Sequence, residues 1–219
     1  MRADYAQLSR LDLQSTSDQC DPLIYAAIAA GAGMTILPEQ QGNWSYAQQE
    51  MDDETAVFTL ATGVLGRLYL SGFIDHMTEP RLSLVRDAIA LHRCVLADQQ
   101  HMVPFWPSGL PDFDGDWLTV GLRHVETDMR DAYVRGENAW NEQTAEQNSQ
   151  QPQQEDKPDY IIVWRRGGTP SVNIPLEAGK TIEQVFPNPD EPDYAPDAEP
   201  WTIERMDPET VRLNATTSK

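Results

Sequence analysis

The sequence is short of cysteine, of positive charge and of uninterrupted apolar runs, and each shortage narrows what the chain can be. Cys20 and Cys94 are its two cysteines and have no metal-like spacing, so neither a disulfide framework nor a zinc module is written into it. That usage suits a reducing compartment, and a cytoplasmic location is expected. The 16 lysines and arginines face 35 aspartates and glutamates, a formal net charge of −19. Such a balance disfavours nucleic acid and anionic membrane surfaces as partners. No apolar run approaches the roughly 18–20 residues that cross a bilayer. The most apolar stretch, Leu23 to Leu37, is interrupted by Gly31 and Gly33. The opening MRADYAQLSRLDLQ lacks the apolar centre of a signal peptide. Histidines number four and are scattered (His76, His92, His101, His124), so no Ser/His/Asp arrangement is implied. Gly63-x-x-Gly66 has no following lysine and makes no phosphate loop. No metal or cofactor is implied.

What is present is 40% apolar residues in 219, enough for the core of one large domain or two small ones. Residues 1–103 alternate strand-like with helix-like segments. Ser9 to Gln14 reads as a strand, and Pro22 to Ala30 as a helix stopped by Gly31 and Gly33. Met34 to Leu37 reads as a buried parallel strand, followed by a polar loop from Glu39 to Glu50. Asp52, Asp53 and Glu54 mark a helix start that carries through Leu60 to Gly63. Arg67 to Ser71 is a third strand. The last helix is capped by Thr78, has Pro80 in its first turn, and buries Leu82, Val85, Ile89, His92 and Leu96. The order β-α-β-α-β-α predicts parallel pairing with crossover helices.

After Val103-Pro104-Phe105-Trp106-Pro107 the pattern changes to short strands separated by turn residues. Trp117–Val125, Tyr160–Arg165, Ser171–Leu176, Thr181–Phe186, Trp201–Met206 and Thr210–Asn214 predict an antiparallel β-sandwich. Asn138 to Lys157 is Gln-rich and reads as a disordered insertion, and Asn188 to Pro200 as an acidic solvated loop. The boundary between the two parts is expected near 103–111, giving domains 1–103 and 104–219.

Chemistry, if any, falls to carboxylates. Asp18 and Asp21 follow the first expected strand, Glu39 the second and Asp75 the third. With parallel strands all four would share the C-terminal sheet edge, where such folds keep their sites. Paired carboxylates are what glycosidic cleavage requires. The Ser17-Asp18-Gln19-Cys20-Asp21-Pro22 segment has a second reading, since Ser-x-x-Asp before a helix is also a capping pattern. Trp44 and Tyr46 likewise suit either stacking on a sugar or anchoring their own loop.

QSTSDQCDP at 14–22, ILPEQQGNWSYAQQEM at 36–51, FTLATGVLGRLYLSGFID at 58–75, VPFWPSGLP at 103–111 and YIIVWRRGG at 160–168 resemble the C-terminal part of the family 36 glycoside hydrolases, retaining α-galactosidases also called melibiases. The resemblance implies the last three β/α units of a (β/α)8 TIM barrel over 1–103 and an antiparallel β-domain over 104–219. It implies Asp18 as general acid/base, with Ser17 and Asp21 contacting substrate. The position two before Ser17, where the family often has tryptophan, is Ser15. No segment matches the family's lysine–aromatic–aspartate nucleophile; Lys157-Pro158-Asp159 has the spacing but stands between the insertion and a sandwich strand. Barrel strands one to five would precede Met1, so the chain is expected to be a C-terminal fragment, inactive alone. The implied substrate is an α-galactoside oligosaccharide of the melibiose or raffinose type. The implied protein partners are further copies of the chain or a complementing N-terminal barrel chain. A non-catalytic carbohydrate- or partner-binding module derived from such an enzyme is the competing expectation. The β-domain is expected to fold, and the three-unit α/β part to be marginal without completion.

Overall fold

The structure is a computed structural model that describes residues 4–125, 157–190 and 200–216. After a short helix α1 (Tyr5–Leu8) the chain enters β1 (Gln14–Ser15), α2 (Pro22–Ala32), β2 (Gln41–Ser45), α3 (Asp53–Val64), β3 (Arg67–Leu70) and α4 (Glu79–Asp98). The three strands pair in parallel in the order β1-β2-β3, as the alternating pattern predicts. Then follow β4 (Met102–Phe105), β5 (Trp117–His124), β6 (Tyr160–Arg165), β7 (Ser171–Pro175), β8 (Thr202–Asp207) and β9 (Thr210–Asn214). They form two antiparallel sheets, ordered β4-β5-β6 and β7-β9-β8. Most of the Gln-rich insertion lies outside the described residues, as does most of the acidic loop. No helix among the described residues is long and apolar enough to cross a membrane.

Helix starts follow local chemistry. Asp21 caps α2 and Asp52 caps α3, the latter carboxylate accepting from Thr55 N–H at 2.8 Å. Thr78 precedes α4 but does not cap it with its side chain; its backbone N–H donates instead to Gln49 Oε1 at 2.7 Å. His92 is half-buried on α4 with Nδ1 2.9 Å from the Val64 carbonyl, an intramolecular contact that fits a packing histidine.

The strand expected over Ser9 to Gln14 shrinks to β1 at its end, with residues 9–13 in turn and irregular backbone; two further strand expectations fail, and for different reasons. Met34 to Leu37 forms a turn with Met34 and Leu37 exposed, because Pro38 opens a 3-10 turn over Pro38–Gln40. The strand comes later, in the polar stretch QGNWS that sequence pattern assigns to a loop. Its buried polar side chains are satisfied by the helices: Gln41 Nε2 donates to Ala29 O at 3.2 Å, and Ser45 Oγ to Leu60 O at 3.2 Å. Glycine is required at Gly42, where a Cβ would sit 2.6 Å from the Tyr69 ring. Thr181 to Phe186, the other failure, is irregular and delivers Phe186 to the apolar cluster between α3 and α4. Its incomplete alternation left no continuous apolar face for a sheet to cover.

The boundary near 103–111 does not divide the core. One buried cluster joins Ala26, Ala27 and Ala30 of α2, Val64 of α3 and Val95 of α4 to Met102, Leu118, Val120, Leu122 and Trp164 of the middle sheet. Trp164 donates its indole N–H to the Phe58 carbonyl in α3 at 3.2 Å. The opposite side chains of β6, Ile161 and Val163, pack with Ile174, Val211 and Leu213 of the third sheet. The helices therefore lie between the parallel sheet and β4-β5-β6. This gives the α/β part a cover on its helical side that the expectation of a marginal N-terminal part did not include. Arg81 is buried on α4 and paired to Asp53 at 3.0 Å while donating to Met51 O, tying α4 to the start of α3.

Candidate active site

The residues before Asp18 are held by side chains from two other elements. Register pairs Ser15 with Gly42, and Trp44 with Tyr69, so Ser15, Gly42, Trp44, Arg67 and Tyr69 share the sheet face turned from the helices. On that face Trp44 donates its indole N–H to Ser15 Oγ at 2.9 Å, and Ser15 Oγ donates onward to the Ser17 carbonyl at 3.4 Å. Thr16 is held separately. Its Oγ1 donates to the Gly42 carbonyl at 3.1 Å and lies 2.7 Å from the phenol oxygen of Tyr25, a buried residue of α2. Trp44 N–H donates to the same phenol oxygen at 2.7 Å.

Aromatic rings frame the segment. Trp44 and Tyr46 stack with centroids 5.7 Å apart and planes 6° from parallel, while Tyr69 meets Trp44 edge-on at 4.9 Å. Tyr25 meets Tyr46 edge-on at 6.2 Å. Trp44 thus spends its N–H and its ring contacts inside the protein, which favours the anchoring reading over a free sugar platform. Burial first, then the nearby Cys20 and Asp18 charges, hold the Tyr46 phenol above its ordinary range, so it stays protonated at neutral pH. Burial likewise raises Tyr25, against the opposing effect of its hydrogen bonds.

The sequence-predicted residues separate into distinct roles. Asp18 is exposed, and its carboxylate has no hydrogen bond or ion pair among the described residues. Ser17 is half-buried, with Oγ accepting from Gln19 N–H at 3.1 Å. Asp21 is the N-cap of α2, its Oδ1 accepting from Leu23 N–H at 2.9 Å and Ile24 N–H at 3.1 Å. Capping thus accounts for Asp21, though not for Asp18. Asp75 follows β3, exposed beside His76. Glu39 precedes β2 rather than following a strand, and its carbonyl accepts from Nε of Arg67, the first residue of β3. It therefore belongs to the opposite, N-terminal edge, and four carboxylates on one edge become three. Sequence reading missed Tyr25 altogether. The signal was weak, a lone tyrosine in an alanine-rich helix, one turn after the capping aspartate. Among the described residues no cluster of histidine, cysteine and carboxylate side chains could hold a metal ion.

A scan against protein-family models, a search of curated proteins and a search of solved structures each found no match.

Proposed function

We propose that this chain supplies the acid/base half of a retaining α-galactoside hydrolase of the glycoside hydrolase family 36 type. The observation that carries the reading is the position of Asp18. It is an exposed carboxylate without an ion-pair partner among the described residues, at the C-terminal edge of a parallel sheet, on a segment braced by Tyr25 and Trp44. In this reading β1, β2 and β3 are the last three strands of a (β/α)8 barrel and the antiparallel sheets its C-terminal β-sandwich domain. Asp18 protonates the leaving oxygen and later activates water, while a second carboxylate attacks the anomeric carbon. Asp21, occupied as a cap, does not serve as that nucleophile. In this reading Ser17 and Asp21 border the sugar. The nucleophile comes from a complementing β/α chain that pairs with the open sheet edges, in the cytoplasm; further copies of the chain, which carry no such segment, enter only as oligomer partners.

The test is reconstitution. The chain is mixed with the separately expressed first five β/α units of a family 36 enzyme and assayed on 4-nitrophenyl α-galactoside. Turnover by the mixture, absent from either part alone and lost with Asp18→Ala, is expected. A complex that turns over equally with Asp18→Ala, or a stable complex without turnover, refutes the reading. A second reading, a non-catalytic carbohydrate-binding module, draws on the lack of a carboxylate engaged with Asp18 among the described residues. Saturation-transfer NMR showing galactose or melibiose bound by the chain alone, unaffected by Asp18→Ala, would favour it.

A further inference from the structure

We infer that Tyr25 is a positioning residue for Asp18, acting through a directed chain of hydrogen bonds across the sheet; the inference rests on the acid/base reading of Asp18. The direction follows from the end members. Trp44 N–H can only donate, and it donates to the Tyr25 phenol oxygen at 2.7 Å. The Gly42 carbonyl can only accept, and it takes the Thr16 hydroxyl proton at 3.1 Å. The 2.7 Å contact between them must then carry the Tyr25 proton to Thr16 Oγ1. Every hydroxyl in the chain both donates and accepts, so none can rotate without losing a bond. Such chains strengthen their members mutually.

The geometry matters because β1 has only two residues and few ladder bonds of its own. Position is fixed instead by side chains. Tyr25 fastens Thr16 to the first turn of the helix that follows, and Trp44 fastens Ser15 and, through it, the Ser17 carbonyl. Asp18 is the next residue. The phenol is buried, on a helix whose start is capped only four residues earlier by Asp21. A buried phenol held at the base of a short loop transmits the helix position to the carboxylate, and catalytic geometry is sensitive to shifts of about 1 Å.

The test uses the full chain, alone and reconstituted as above, with Tyr25→Phe, Thr16→Val, their double variant, and Thr16→Ser, which keeps the hydroxyl. In the chain alone, NMR-detected hydrogen exchange is read at Thr16, whose N–H donates to Gly42 O, and at Gln19, whose N–H donates to Ser17 Oγ. Tyr25→Phe and Thr16→Val each remove two of the three hydrogen bonds in the chain and are each expected to speed exchange at both amides by about tenfold to hundredfold. The double variant adds little more, since both cut the same chain. Thr16→Ser restores protection. In the reconstituted enzyme kcat falls about tenfold while KM is kept. Equal acceleration at the β9 amides would reveal general destabilisation and overturn the inference, as would additive effects or protection undisturbed by Thr16→Val. Altered exchange with kcat unchanged overturns the positioning role while leaving the acid/base reading intact. Turnover indifferent to Asp18→Ala removes both.

Discussion

Replacing Trp164 by alanine is expected to unfold both halves of the molecule together. Trp164 is 2% exposed, its ring lies 6.4 Å from Phe58 of α3, and its cluster spans helices and middle sheet. A buried tryptophan removes about 150–250 Å² from water, worth about 4–6 kcal/mol at ~25 cal/mol per Å². Measured Trp→Ala losses in cores run at about 3–5 kcal/mol, so about 4 kcal/mol is a fair expectation. The Phe58 carbonyl keeps a partner in the Thr62 hydroxyl at 3.1 Å, so no orphaned acceptor adds to the loss. With a urea m-value of about 2–3 kcal/mol/M the midpoint drops by about 1.3–2 M. Two probes separate the halves. All the α-helices among the described residues precede residue 101, so their circular dichroism signal at 222 nm reports the α/β part. Chains labelled with 5-fluorotryptophan report Trp44 in the parallel sheet and Trp201 beside the third sheet as separate ¹⁹F resonances. Coincident midpoints, displaced together by Trp164→Ala, are expected of a shared core. A Trp201 midpoint that falls while the helical and Trp44 midpoints stay put would refute the shared-core argument.

Three further substitutions test the division of labour around the candidate site and the charge at the foot of the insertion. Asp21→Ala should cost about 1 kcal/mol in urea denaturation by removing the α2 cap, while Asp18→Ala should stay within about 0.5 kcal/mol. Equal losses would mean that Asp18 carries structural weight. Lys157, 2.7 Å away, is the main cause that holds the Asp98 carboxyl below its ordinary 3.8, with His124 and His101 adding to it. Because the folded value is the lower one, this stabilisation is complete above pH 3.8 and is lost as pH falls through the depressed value. Lys157→Gln should therefore raise the Asp98 value in a carboxyl ¹³C titration and lower stability on the neutral side, with the gap from the wild type closing as pH falls. A gap that widened in acid would contradict the assignment.

The parts of the fold that were legible had a backbone or packing signature in the sequence. Asp-Pro at 21–22 and the acidic run at 52–54 placed two helix starts, and Tyr160 to Arg165 was read with its observed ends. β2 was hidden because its burial is polar. Gln41 and Ser45 are covered by helices that answer their hydrogen bonds, a tertiary arrangement no local hydropathy pattern records. That slip moved Glu39 to the wrong sheet edge. The candidate site was half legible: Asp18 was singled out by its place after the first expected strand and by the family resemblance, and the Asp21 cap by its capping pattern, but the Tyr25–Thr16 contact joins an α2 side chain to the residue after β1 through geometry alone. The shared core was invisible for a similar reason. Small alanines on α2 do not announce that a tryptophan from far along the chain will lie against them.

That arrangement has a consequence for synthesis. Ribosomes deliver the chain from its amino end, so α2, α3 and α4 emerge well before β6. Until residues 160–165 leave the exit tunnel, Ala26, Ala27, Ala30, Val64 and Val95 lack the Trp164 side of their cover. Apolar surface left waiting in this way is what holdase chaperones bind and what nascent chains aggregate through. The Gln-rich insertion lengthens that wait, since it is translated between the two strands, β5 and β6, that close over the helices.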